Sequence, residues 1–136
     1  MPLSDETFER LMAAPNIAVL STIGRDGAPH QAPVWYQWRD GALLIPTERR
    51  SQKWRNIERS PRVSICIDTR EGPTRVALIS GTAEEFPADY TEERRNFYER
   101  YHGDGTQAAL DANPVDPADW VVIRVTPQRT ITFGAD

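Results

Sequence analysis

Apolar residues along this chain alternate with polar ones more often than they recur at helical spacing. Ile17-Ala18-Val19-Leu20-Ser21-Thr22-Ile23 is apolar and rich in β-branched residues, which predicts a strand. Gly24-Arg25-Asp26-Gly27 follows with tight-turn chemistry. From His30 to Arg39, Val34, Tyr36 and Trp38 alternate with Trp35 and Gln37, predicting a second strand. Asp40-Gly41 then turns the chain into a third, Ala42 to Thr47. Two Asp-Gly turns in succession predict an antiparallel meander. Arg62–Asp68, Val76–Glu84, Trp120–Val125 and Thr130–Phe133 read as further strands, the last two parted around Pro127. Gly81 inside a strand points to a bulge or a close backbone approach.

Helical spacing is confined to three stretches. Ser4 to Ala13 has Ser4 as N-cap, Asp5 and Glu6 at the positive end, and Phe8, Leu11 and Met12 as an apolar stripe. Gln52 to Arg59 has Ser51 as N-cap and Ser60-Pro61 as its stop. Tyr90 to Tyr101 is the longest, with Tyr90, Phe97 and Tyr101 on one face; Gly103-Asp104-Gly105 and the Asn113–Pro117 stretch read as loops. Six or seven strands with few helices predict a mainly-β protein, a small antiparallel barrel whose closure removes exposed edges. No repeat or linker divides residues 1–136, which are expected to form one domain.

Composition narrows the class. No apolar run approaches the roughly 18 residues of a membrane span, and the first residues resemble no secretory leader. A soluble cytoplasmic protein is expected. One cysteine, Cys66, excludes an internal disulfide and suits a small core residue. His30 and His102 are too few and too far apart to suggest a metal site or an acid–base pair; His30 suits a strand edge. No metal is expected.

Net charge is −4, which argues against a nucleic-acid partner. Its distribution says more. Arg49 to Arg62 holds six basic residues and one acid, Glu58, so this stretch carries +5 and the rest of the chain −9. Lys53 is the only lysine beside fifteen arginines. Charge runs are more often solvated helix faces, and Arg55, Arg59 and Arg62 fit that description. Arg49 to Lys53 differs, because it lies where a strand gives way to a capped helix. Peptide N–H groups of a first helical turn have no intrahelical partner, and with the helix dipole they attract anions. Ser51 would add a hydroxyl, Lys53 an ammonium, and Arg49 or Arg50 a guanidinium. The pattern predicts a site for a small phosphorylated ligand, with Glu48 a bystander.

Several segments, taken in order, resemble the pyridoxamine-phosphate-oxidase-like split β-barrel proteins, specifically flavin and deazaflavin oxidoreductases. They are Ile17–Thr22, Asp26-Gly27-Ala28-Pro29-His30, Pro33-Val34-Trp35-Tyr36, Ser51-Gln52-Lys53-Trp54-Arg55-Asn56 and Ser60-Pro61-Arg62-Val63-Ser64. The resemblance covers roughly residues 4 to 133. The resemblance implies a homodimer with a flavin-type cofactor at the subunit interface. It would place the cofactor ring along Pro33, Val34, Trp35 and Tyr36, largely through backbone contacts. Thr47 would lie near the ring or ribityl chain, and Arg50, Ser51, Gln52 and Lys53 would hold the phosphate, or the polyglutamyl tail of a deazaflavin. Trp35 is the tryptophan most suited to stack on the ring, and Tyr36 a candidate proton donor.

Two departures set the chain apart from pyridoxamine oxidase proper. Gln31 to Trp38 lacks that enzyme's basic strand motif, and the C-terminal Gly134-Ala135-Asp136 lacks its Arg/His substrate region. The Ser51-Gln52-Lys53 form and the arginine bias lean toward the branch using the deazaflavin coenzyme F-420. The implied activity is hydride transfer between reduced deazaflavin and an unsaturated small molecule. An FMN-dependent oxidoreductase, or a non-catalytic binder of the same cofactors, would use the same binding residues.

Overall fold

A computed structural model describes all 136 residues, Met1–Asp136. Seven antiparallel strands form one sheet that curls into a half-barrel, flanked by four α-helices. In chain order these are α1 (Asp5–Ala13), β1 (Ala18–Ile23), β2 (Pro29–Val34), β3 (Gln37–Arg39), β4 (Ala42–Glu48), α2 (Gln52–Arg59), β5 (Arg62–Asp68), β6 (Arg75–Phe86), α3 (Tyr90–His102), α4 (Thr106–Ala112) and β7 (Trp120–Gly134). A 3-10 turn, Gly103–Gly105, joins α3 to α4. The expected mainly-β, split-barrel architecture is what the chain adopts.

The strand order β2-β1-β5-β6-β7-β4-β3 corrects the expected meander. Pro29–Val34 pairs with β1 and Gln37–Arg39 with β4, at opposite edges of the sheet. The stretch read as one strand from His30 to Arg39 is therefore broken at Trp35-Tyr36, where the chain crosses from one edge to the other. Alternation continued through the break, so periodicity alone could not reveal it. Both Asp-Gly turns form as expected. Asp40 and Gly41 have φ of 53° and 72°, the two left-handed residues of a hairpin turn that matches strand twist.

A second correction concerns the C-terminal strands. β7 runs unbroken through Pro127. Pro127 lies opposite Gly81, where the β6–β7 register shifts between Ser80 and Gly81. A proline lacks a donor for the ladder, and a bulge is where that loss is tolerated. Gly81 is required there, because a Cβ would lie 2.2 Å from the Thr126 carbonyl oxygen.

β1 and β5 bury alternate residues, so one face of the sheet looks into the half-barrel. Leu20, Leu43, Ile45, Ile65, Ile67, Ile79, Ile123 and Val125 fill it, joined by Met12 of α1 and Trp54 of α2. β4 instead buries Leu43, Leu44 and Ile45 in succession. Its outer face is covered as well, with Leu44 packing beside Val122 and Trp120 against Phe97 of α3. α4 was not foreseen as a helix. Its seven residues carry no side-chain cap, and only Thr106 is buried.

Candidate cofactor site

β4 delivers the chain to α2 through the loop that sequence singled out. Ser51 is the N-cap, accepting a hydrogen bond from the Trp54 N–H at 3.3 Å, and its hydroxyl meets that of Thr47 at 3.2 Å. Trp54 and Ile57 anchor the helix in the core, which fixes the direction of its N-terminus. Arg55 N–H returns to the Ser51 carbonyl, leaving the peptide N–H groups of Gln52 and Lys53 outside the helical ladder. The first turns of α1 and α3 carry acids, whereas that of α2 carries none. Its positive end is left without a carboxylate of its own.

The basic residues of the loop divide into two groups. Arg49 is engaged by Glu85, its two guanidinium nitrogens at 2.9 and 2.7 Å from the carboxylate. Arg50 Nε donates to Glu48 at 2.8 Å, and Asp119 flanks it at 3.2 Å. Lys53 is half-buried and belongs to none of the protein's ion pairs. Burial lowers its pKa, with the Glu48 charge acting in the opposite direction. Glu48 thus serves the site by restraining Arg50 and facing Lys53, rather than standing by. The acids Glu85 and Asp119 were also missed, because they arrive from β6 and the segment before β7, far away in sequence.

Gln52 turns away from the helix N-terminus. Its amide donates to Asn56 Oδ1 at 2.7 Å, Asn56 Nδ2 donates to Thr22 Oγ1 at 3.0 Å, and Arg59 donates to the same Asn56 oxygen at 3.0 Å. Asn56 is fully buried, so this network ties α2 to β1. Arg55 and Arg62 are exposed, as a solvated face requires.

Pro33 to Tyr36 straddles the break between β2 and β3, and its side chains point different ways. Pro33 is exposed on the edge strand, Val34 enters the core, and Trp35 lies outside. Trp35 stacks on Tyr101 with centroids 4.7 Å apart and planes at 4°, while Tyr98 meets it edge-on at 5.1 Å. Tyr36 is wholly buried, and its hydroxyl donates to the Ala14 carbonyl at 3.0 Å. Burial raises its pKa. The hydroxyl thus faces the end of α1 rather than the surface. The Tyr36 peptide is engaged too: the N–H donates to Tyr101 Oη, and the carbonyl accepts from Arg100. The Trp35 peptide has no side-chain partner. Within the stretch it is a backbone unit still free for a ligand.

Arg100 was not singled out in sequence and Tyr101 only as part of a helix face, yet they hold this crossover in place. Arg100 also reaches the carbonyls of Ala13 and Ala14 at 2.8 Å each, and Tyr101 Oη that of Asn16 at 2.8 Å. Elsewhere, His30 sits on β2 opposite Thr22 with Nδ1 buried and unpartnered, and Cys66 is a free, half-buried thiol on β5.

The curled antiparallel half-barrel of seven strands defines the class. Residues 4–133 match the family described as pyridoxamine 5'-phosphate oxidase, and the chain belongs to that family. The 5a,11a-dehydrotetracycline/5a,11a-dehydrooxytetracycline reductase of Streptomyces rimosus is 26% identical over 144 residues, which cover 100% of this chain and 86% of that protein. A conserved hypothetical protein of Mycobacterium tuberculosis superposes with a TM-score of 0.78 at 26% identity, covering 96% of this chain and 84% of the other. An F-420 reductase superposes with a TM-score of 0.75 at 27% identity, covering 90% and 94%.

Proposed function

We propose that the chain is an oxidoreductase that binds the deazaflavin coenzyme F-420 and transfers a hydride from its reduced form to an unsaturated small molecule. The observation that carries this reading is Lys53. A half-buried ammonium without an acid partner, beside a helix N-terminus without an acid of its own, suits a phosphate group. The Thr47–Ser51 hydroxyl pair and the Gln52 and Lys53 peptide N–H groups complete a donor set matched to phosphate oxygens. Among relatives at 26–27% identity, one is a reductase of dehydrogenated tetracyclines and another an F-420 reductase. The first name fits hydride delivery to an unsaturated acceptor, and the second names the deazaflavin.

The bound deazaflavin would supply the hydride; the chain supplies placement and the exclusion of water. Ser51, Lys53 and the start of α2 fix the phosphate end, with Arg50 and Gln52 at its margin. Thr47 would lie between that end and the ring, and Pro33, Val34 and Trp35 would form the wall along it, with Tyr36 buried behind. Tyr36, locked inward, is not placed to give the proton that completes reduction.

The proposal includes a homodimer with the cofactor at its interface. Ile17, Leu78, Ile131 and Phe133 are large apolar residues left 39–48% exposed. Leu78 and Ile131 are paired across β6 and β7, and Val76 with Phe133 two residues along, forming an apolar patch that a second copy would cover. The reading also places the protein in the cytoplasm, and no helix is long and apolar enough to cross a membrane.

Titration of the apo-protein with deazaflavin and with FMN, followed by tryptophan fluorescence, tests the reading. If neither binds, the proposal fails. FMN is the second reading, favoured by the family match itself, and a natively purified protein carrying an FMN spectrum would establish it. Oxidation of the reduced deazaflavin only when an acceptor is present separates an enzyme from a passive binder.

A further inference from the structure

Where the end of β4 meets α3, a cleft of about 170 Å³ opens beside the proposed cofactor site. Trp35, Phe97 and Trp120 give it aromatic walls, and Thr47, Glu48 and Arg94 give it polar ones. Trp35 and Thr47 are shared with the cofactor site, so the two spaces adjoin.

The walls are already in place. Trp35 is clamped by its stack on Tyr101 and the edge of Tyr98. Phe97 is buried at 1% exposure, and Trp120 is held edge-on by Tyr90 at 5.4 Å. A ligand entering here orders little, which favours binding. Size limits the occupant, because an apolar cavity of roughly 150 Å³ holds benzene. The cleft therefore seats one six-membered ring, and anything larger would have to extend out through its open side.

Charge selects further. Glu48 is engaged by Arg50 at 2.8 Å and also faces Lys53. Arg94 has no carboxylate partner. Its guanidinium lies over the Tyr98 ring at 4.8 Å and gives one N–H to the Asn113 carbonyl. A guanidinium carries five N–H donors in a fork that matches a carboxylate, so most of this fork is uncommitted at the cleft wall.

We infer that this cleft binds a single-ring organic carboxylate, with the ring between the Trp35 and Trp120 walls and the carboxylate on Arg94. Resting on the proposed function, the ligand class is the hydride acceptor: a cyclic conjugated carboxylate held against the cofactor ring.

Benzoate is the probe, with benzamide as its uncharged counterpart, and the indole N–H resonances of the apo-protein are the readout. Benzoate is expected to shift the Trp35 and Trp120 signals saturably. Arg94→Gln should weaken benzoate at least fivefold and leave benzamide unaffected. Val115→Trp, which fills the cleft from its rim, should abolish both and guards against misfolding of the first variant. The inference is overturned if neither indole moves, if Arg94→Gln weakens benzoate less than fivefold, or if Lys53→Ala abolishes benzoate binding, since the ligand would then occupy the phosphate site. Benzoate binding by a protein that takes neither deazaflavin nor FMN would sink the proposed function and keep the cleft. Cofactor binding without a benzoate response would do the reverse.

Discussion

Thr47 Oγ1 lies 3.2 Å from Ser51 Oγ, so one hydroxyl pair joins the end of β4 to the cap of α2. The two hydroxyls have different duties. Ser51 also caps the helix through the Trp54 N–H, whereas Thr47 has no second partner. Thr47→Val should therefore leave thermal stability nearly unchanged and weaken cofactor binding by about 1 kcal/mol, roughly fivefold in Kd. Ser51→Ala should cost both affinity and about 1 kcal/mol of stability through the lost cap. Equal stability losses in thermal melts of the two variants would contradict this division.

Lys53 links pH to both stability and binding. Burial lowers its pKa in the folded protein, so the unfolded chain holds the proton more tightly. The charged lysine therefore costs stability below its folded pKa, and the cost is relieved as pH rises from there to the ordinary lysine value. A bound phosphate reverses this by stabilising the charge. Lys53→Met should stabilise the apo-protein by no more than about 1 kcal/mol, read as a raised melting temperature. The same change should weaken cofactor binding by about 1–3 kcal/mol. Wild-type affinity should fall with rising pH before an ordinary lysine would titrate, and the Met variant should lack that fall. Melts with and without cofactor across alkaline pH check all three, and an apo-protein destabilised by the substitution would refute the uncompensated charge.

Tyr101 holds the crossover at Trp35-Tyr36 through one hydroxyl, which accepts from the Tyr36 N–H at 3.0 Å and donates its single proton to the Asn16 carbonyl at 2.8 Å, with the Tyr36 carbonyl also near at 3.1 Å. Tyr101→Phe keeps the ring stacked on Trp35 and removes only those bonds. A stability loss of about 1–2 kcal/mol is expected from the orphaned Tyr36 N–H. Binding of a flavin-type ring should weaken, while inorganic phosphate binds as before. An equal loss for both ligands would mean that the crossover does not form the ring's wall.

What sequence could show and what it could not divide along physical lines. Caps, Asp-Gly turns and the Gly81 irregularity depend on near neighbours, and each was legible: Ser4, Ser51, Asp40-Gly41 and Gly81 stand where local chemistry put them. The break at Trp35-Tyr36 was hidden, because it is enforced by Arg100 and Tyr101 on a helix some 65 residues away. The same limit applied to the basic loop. Local charge identified Arg49, Arg50 and Lys53 as one cluster, but only the fold brings Glu85 and Asp119 to the two arginines and leaves the lysine without a partner. Pro127 misled for the opposite reason: its local preference for ending a strand was overridden by the bulge opposite Gly81.

That bulge can be tested directly. Any side chain at position 81 meets the Thr126 carbonyl at 2.2 Å, a backbone atom that cannot swing aside. Gly81→Ala should cost about 3 kcal/mol, near the upper end for single substitutions, and lower the melting temperature by roughly 10 °C. A melting temperature within a degree or two of wild type would show that β7 can shift its register freely at Pro127.

Leu78 and Ile131 face each other across β6 and β7, 39% and 42% exposed, at the centre of the apolar patch assigned to a second copy. In a twofold dimer every substitution is felt twice, and an unpaired carboxylate buried in an apolar interface costs several kcal/mol. Leu78→Asp should thus weaken dimerisation by about 4 kcal/mol or more, roughly a thousandfold in Kd, while the monomer's own fold survives because the site is already open to water. Wild type should sediment as a dimer and the variant as a monomer. The cofactor result then decides the architecture of the site. If the interface completes it, the monomer should lose at least tenfold in cofactor affinity although Leu78 touches neither Thr47 nor Lys53. A monomeric variant with wild-type affinity would mean that one chain holds the cofactor alone, and a monomeric wild type would remove the interface from the proposal altogether.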